Sequence, residues 1–177
     1  QEEKNSWANA ALKGGTWNGK LYSVPFRTSS QVLYYNKTLL EEAGVEFPPA
    51  DVDERWTWEK VVEAAKKVAK PEEGIWGLML DQGTRYYQLL PLPVSLGGGR
   101  GLTDDGKKAD VANDAWVKAF TWYYNIFNKW NIAPKGVSSE EVPDLFGGGK
   151  IAFLVSGLWD VPAYQEADVD FGVAPHP

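Results

Sequence analysis

The stretch Ser156-Gly157-Leu158-Trp159-Asp160 carries residue types that could recognise a ligand. The Trp159 indole offers a flat apolar face and one N–H donor. A face of that kind stacks on the C–H side of a pyranose, whose hydroxyls then need fixed polar partners. Gly157 allows a sharp backbone turn just ahead of the indole, and Asp160 adds a carboxylate. These groups hold a ligand rather than break a bond. The same indole would also serve as core, since the chain has 9 tryptophans and most recur at helical spacing elsewhere. Arg85, Tyr86 and Tyr87 follow the apolar run 75–80 and form a second candidate set. Arginine can fork to a hydroxyl pair or a carboxylate, including those of Asp81 or Asp160. The tyrosines could as well cover the core.

Other chemistries find little here. Asp104-Asp105 sit in a turn beside Gly106, where nothing apolar would raise a carboxyl pKa for acid catalysis. Gly97-Gly98-Gly99-Arg100-Gly101 lacks the lysine–hydroxyl ending of a phosphate loop and reads as a turn. Cysteine is absent and the one histidine, His176, lies between two prolines. Thiolate chemistry, disulfides, a histidine triad and a histidine metal site are therefore not expected, and no cofactor or metal is. The net charge of −6 and the lack of a basic block argue against nucleic acid and anionic membrane. No apolar run is long enough to span a bilayer.

The elements that must position these residues alternate. The run 151–156 is apolar, follows three glycines and precedes Gly157, so it reads as a fully buried strand. Ligands bind at the carboxyl ends of such strands in open α/β sheets. Further strands are expected over 21–26, 31–35, 75–80 and 171–174. Asn18-Gly19 signals a hairpin turn. Helices are expected over 38–43, closed by Gly44, and over 58–69, capped by Thr57. Others are expected over 86–96, disturbed by Pro91 and Pro93, over 114–130, capped by Asn113, and over 160–166. Ser138 and Glu141 have capping-box spacing for one ending at Phe146. The stripe Trp116, Ala119, Phe120, Tyr123, Phe127 and Trp130 is expected to be core. The pattern predicts an α/β fold with a mostly parallel, helix-covered sheet. Gln1-Glu2-Glu3-Lys4 is no signal peptide, and both ends read as cuts through a larger protein.

A collinear series of motifs resembles a known family. Gly19-Lys20-Leu21-Tyr22-Ser23-Val24-Pro25-Phe26, Leu33-Tyr34-Tyr35-Asn36-Lys37 and Glu42-Ala43-Gly44 come first. Thr57-Trp58-Glu59, Gly97-Gly98, Gly149-Lys150-Ile151-Ala152 and Ser156-Gly157-Leu158-Trp159 follow, and Asp170-Phe171-Gly172-Val173-Ala174-Pro175 closes the series. In that order they resemble the extracellular (family 1) sugar-binding proteins of ABC importers, the group that includes maltose-binding protein. Two departures stand out: extra residues at 50–56, and Leu158 where the family often has proline.

The resemblance implies one lobe of a periplasmic-binding-protein type II-like fold, namely the second lobe. Residues 1–24 would be a remnant of lobe one, 25–170 lobe two, and 171–177 the second hinge strand. It implies sugar or oligosaccharide capture in an interlobe cleft, outside the cytoplasm, for an ABC permease, without catalysis. It places Trp159 and Tyr87 on sugar-stacking positions, with Tyr87 ahead of Tyr86, and Arg85 on a polar contact. Ser29 and, less directly, Arg27 fall on the cleft floor. Gly157 and Asp160 flank the indole. The surface facing the missing lobe would favour self-association. Two alternatives stand beside this reading: a glycoside hydrolase or lyase fragment, which needs two facing carboxylates, and an excised structural domain that binds nothing.

Overall fold

The structure, a computed structural model, describes residues 7, 9–80 and 86–177. The chain divides into two compact units, Gln1–Ser30 and Gln31–Pro177.

In the first unit a short helix, α1 (Asn9–Gly14), precedes a hairpin of β1 (Thr16–Trp17) and β2 (Lys20–Leu21). Asn18 and Gly19 turn it with φ of 47° and 75°, the two left-handed residues that a tight hairpin turn needs. The strand expected over 21–26 stops at Leu21. Pro25 has no N–H for a ladder, and no partner strand in this unit is recorded for the segment among the described residues.

The second unit is a four-stranded sheet with helices on both faces. Its strands are β3 (Gln31–Asn36), β4 (Trp76–Leu80), β5 (Ile151–Gly157) and β6 (Phe171–Ala174), in the order β4-β5-β3-β6. β5 is buried along its whole length. The α/β class holds, but the sheet is mixed rather than mostly parallel. β4 pairs with β5 in parallel, whereas β3 pairs antiparallel with both β5 and β6. The cause is the place of one strand. β4, β5 and β6 share a direction, and β3 is inserted between β5 and β6 against them. That insertion puts the start of β3 at the edge where the other three strands end.

The helices are α2 (Lys37–Glu42), α3 (Trp58–Val68), α4 (Tyr86–Leu89), α5 (Pro91–Ser95), α6 (Asp114–Asn128), α7 (Val142–Gly147) and α8 (Val161–Glu166). Asn36, Thr57 and Asn113 cap α2, α3 and α6 by accepting from the backbone N–H of Leu39, Lys60 and Trp116. The helix expected over 86–96 is two pieces, because Pro91 begins the second and cannot continue the first. Glu141 does accept from the Ser138 N–H at 2.8 Å and from its hydroxyl at 2.7 Å. α7 nevertheless starts at Val142, so this contact orders the turn ahead of the helix.

Side-chain alternation along the strands builds two cores. Leu33, Leu78, Leu80, Phe153 and Val155 pack with Val61, Ala65 and Val68 of α3 and with Ala119 and Ile126 of α6. Tyr34, Met79 and Leu154 pack on the other side with Phe146 of α7 and Tyr164 of α8. The ring centroids of Tyr34 and Tyr164 are 5.1 Å apart, edge to face. The extra segment at 50–56 is more than a loop. It delivers Trp56 into the first core, tilted on Phe153 at 6.0 Å. Phe120 departs from the expected stripe: it is stacked on Trp116 at 5.8 Å but exposed on the outer side of α6.

His176 follows β6 and lies edge-on to the Trp58 ring at 5.2 Å. Its Nδ1–H donates to the Pro177 carbonyl at 3.1 Å. Burial lowers its pKa below the ordinary value near 6.5, outweighing that hydrogen bond. The unfolded chain therefore takes up this proton at a higher pH than the folded one, and stability is lost as pH falls below about 6.5. Urea unfolding midpoints are expected to decline as the pH falls below about 6.5. The decline should be shallower in His176→Leu.

Candidate functional site

The edge of the sheet where β5 ends and β3 begins positions Gly157, Trp159 and Asp160 of the predicted set. Leu80 of β4 is in register with Val155, and Gln31, the first residue of β3, is paired with Gly157 at the end of β5. After Gly157 the chain makes one 3-10 turn, Leu158–Asp160, and enters α8. The expected single helix over 160–166 is thus a turn followed by a helix whose first turn holds Pro162.

Trp159 is 46% exposed, so its ring is at the surface rather than in the core. The ring lies against Gly157, and a Cβ added there would fall inside the indole. That Cβ would project on the face of Val155, two residues earlier in the strand. The indole therefore occupies the vacant side-chain position of Gly157 on that face. Gly157 does not need its conformational freedom, since its φ of −86° suits any residue. It needs its lack of a side chain. Gly157→Ala is expected to push the indole out of place and weaken ligand binding about as far as loss of the ring, with little effect on the melting temperature. Titration and thermal melting of the variant check this.

The opposite face braces the turn. Ser156 donates to Asp160 Oδ2 at 2.6 Å. Tyr34, fully buried, donates to the Gly157 carbonyl at 2.7 Å. Burial, and then the Asp160 charge, push the Tyr34 phenol well above the ordinary tyrosine range, so it stays a donor. Asp160 is thereby fixed against Ser156, and its clearest role is to hold the turn that presents Trp159. Sequence reasoning missed both Tyr34 and Ser156. One signal was available, a lone hydroxyl ending an apolar strand.

Tyr86 and Tyr87 open α4, in the segment that follows β4. Tyr87 is 45% exposed. Tyr86 is exposed too, with its hydroxyl donating to the Arg100 carbonyl. Arg85 and Asp81 lie outside the described residues. Arg27 and Ser29 belong to the first unit, where both are exposed.

The rival chemistries fare no better in three dimensions. Asp105 accepts from the Thr103 hydroxyl at 2.6 Å and the Lys107 N–H at 3.1 Å. Those bonds, the hydroxyl first, hold its carboxyl below the usual range, the wrong direction for a general acid. The 97–101 turn borders an open hollow of about 790 Å³ that Arg100 shares with Asp104 and Asp110. Two carboxylates against one guanidinium do not favour phosphate. No cluster of metal-binding side chains occurs among the described residues, and no described helix is long and apolar enough to cross a membrane.

Comparison with known proteins agrees with this architecture. The family model for bacterial extracellular solute-binding proteins matches residues 2–177. The maltooligosaccharide ABC transporter solute-binding lipoprotein of Streptococcus pneumoniae is 30% identical over 169 residues, 90% of this chain and 37% of that protein. Among solved structures, the ABC substrate-binding protein Lmo0181 of Listeria monocytogenes in complex with cycloalternan is 28% identical with a TM-score of 0.80, covering 99% of this chain and 46% of the other. The Thermus thermophilus maltotriose binding protein, bound with maltotriose, is 25% identical with a TM-score of 0.77, covering 99% and 44%. The chain thus spans less than half the length of these relatives. Its fold is a lobe of the type II periplasmic-binding-protein class, and the chain belongs to the bacterial extracellular solute-binding protein family.

Proposed function

We propose that this chain is the sugar-binding second lobe of a solute-binding protein that captures an oligosaccharide outside the cytoplasm and delivers it to an ABC permease. The observation that carries the reading is the exposed indole of Trp159, seated on Gly157 at the edge where three strands end and β3 begins. The maltooligosaccharide, cycloalternan and maltotriose proteins named above support the ligand class. Trp159 and Tyr87 stack on sugar rings, and Arg85, Ser29 and Arg27 supply polar contacts. Tyr86 is an outer contact, while Gly157 and Asp160 seat the indole. Lobe two runs over 25–170, after a lead-in at 1–24, and 171–177 is the second crossing. The ligand stabilises a closed state by touching both lobes, and the permease reads that shape.

Catalysis is not part of this reading. The relatives named above are binding proteins, and Asp105 is held in the state unsuited to acid catalysis. A single lobe offers a fraction of the contacts and excludes water poorly. Maltotriose is therefore expected to bind this chain with a Kd of about 1 mM or weaker. Titration with a maltooligosaccharide panel, alongside an assay for released glucose, tests the proposal. Saturable binding without turnover supports it, and glucose release or no binding to any sugar of the panel overturns it.

A further inference from the structure

We propose that Gln31 is a further specificity-determining residue of this surface, its carboxamide taking a pair of neighbouring sugar hydroxyls beside the Trp159 indole. The proposal rests on the sugar reading above. Gln31 opens β3 and is paired across the ladder with Gly157. Directly paired residues project from the same face of a sheet, with Cβ positions about 5 Å apart. On the Gly157 side of that pair the side-chain position is filled by the indole. Gln31 and the Trp159 ring therefore stand side by side on one face of the binding edge.

The Gln31 carboxamide oxygen is buried and meets no hydrogen-bond donor among the described residues. Buried acceptors are nearly always paired, so an unpaired one calls for a cause. The fold does not supply it. The next residues on that face, Leu33 and Val155, are apolar and fully buried, and a leucine at 31 would continue the pattern. Gln31 as a whole is partly exposed, so rotation about its own side-chain bonds brings the carboxamide to the rim. There it supplies what the indole lacks. Tryptophan only donates, whereas a carboxamide both accepts and donates, matching two adjacent hydroxyls. Asp160, the nearest carboxylate in sequence, is held by Ser156 on the other face.

The test follows the Trp159 indole N–H resonance of the 177-residue chain during titration with maltotriose, in the wild type, Gln31→Leu and Gln31→Glu, with thermal melts of each. Gln31→Leu is expected to melt at the same or a higher temperature and to bind maltotriose about tenfold more weakly, a change of about 1.4 kcal/mol. Gln31→Glu keeps the acceptor and is expected to lose less. Equal affinity in the wild type and Gln31→Leu overturns this proposal and leaves the sugar reading standing. So does a lowered melting temperature in both variants, which would make Gln31 structural. A Trp159 resonance that maltotriose does not move even in the wild type overturns both.

Discussion

Trp159→Ala is expected to weaken maltotriose binding at least tenfold while moving the melting temperature by no more than about 2 °C. The two halves of that result come from one geometry. The ring is half out of the fold and rests on a glycine, so its removal opens no cavity in either core. What is lost is the flat apolar surface and the burial it gains against a sugar face, at about 25 cal/mol per Å² of apolar area. Trp159→Phe should retain part of the affinity, because a smaller ring still presents a face. If Trp159→Ala instead lowers the melting temperature as a core substitution does, the indole belongs to the fold and not to a ligand.

Phe153→Ala is expected to cost about 3–5 kcal/mol of unfolding free energy, the largest effect on stability. Phe153 is fully buried at the centre of β5, paired with Leu78 on one side and Tyr35 on the other. Its ring meets Trp56 at 6.0 Å. The flanking strands β4 and β3 and the 50–56 segment converge on this side chain, so its neighbours cannot all close on the space at once. Urea unfolding reads the loss as a lower midpoint at unchanged slope. Phe153→Leu, which keeps most of the volume, should lose much less. A cost below about 1 kcal/mol for Phe153→Ala would mean that this face of the sheet is not the centre of the core.

The strand over 151–156 was legible because it is apolar on both faces and bounded by glycines, a local pattern that needs no knowledge of neighbours. Gly44 and Asn18-Gly19 were legible for the same reason, as backbone conformations written into residue type. Strand direction was not. Whether β3 runs with or against its neighbours depends on where the chain enters the sheet, and alternating apolar runs look alike either way. Trp56 was illegible inside a charged, proline-flanked loop, because its burial comes from a partner, Phe153, that lies 97 positions later. In the site, Trp159 and Gly157 stood out by type and spacing. Their coupling did not, since an indole filling a glycine's missing side chain is a three-dimensional fact. The Tyr34 brace was hidden in the same way. It joins residues 123 positions apart, and a tyrosine in a strand ordinarily reads as core. Phe120 shows the reverse error: its spacing fits the helical stripe, yet its side chain is exposed.

The central claim is that the Trp159 indole, placed on Gly157 at the shared strand edge, is the surface on which a sugar ring lies, with Tyr87 beside it. A crystal of this chain soaked with maltotriose at high concentration measures that most directly. The account predicts a pyranose stacked on the indole face, within van der Waals distance of Tyr87 and in hydrogen-bond reach of Gln31. A sugar bound elsewhere, or rings at 159 and 87 that face opposite sides of the sheet, would contradict it.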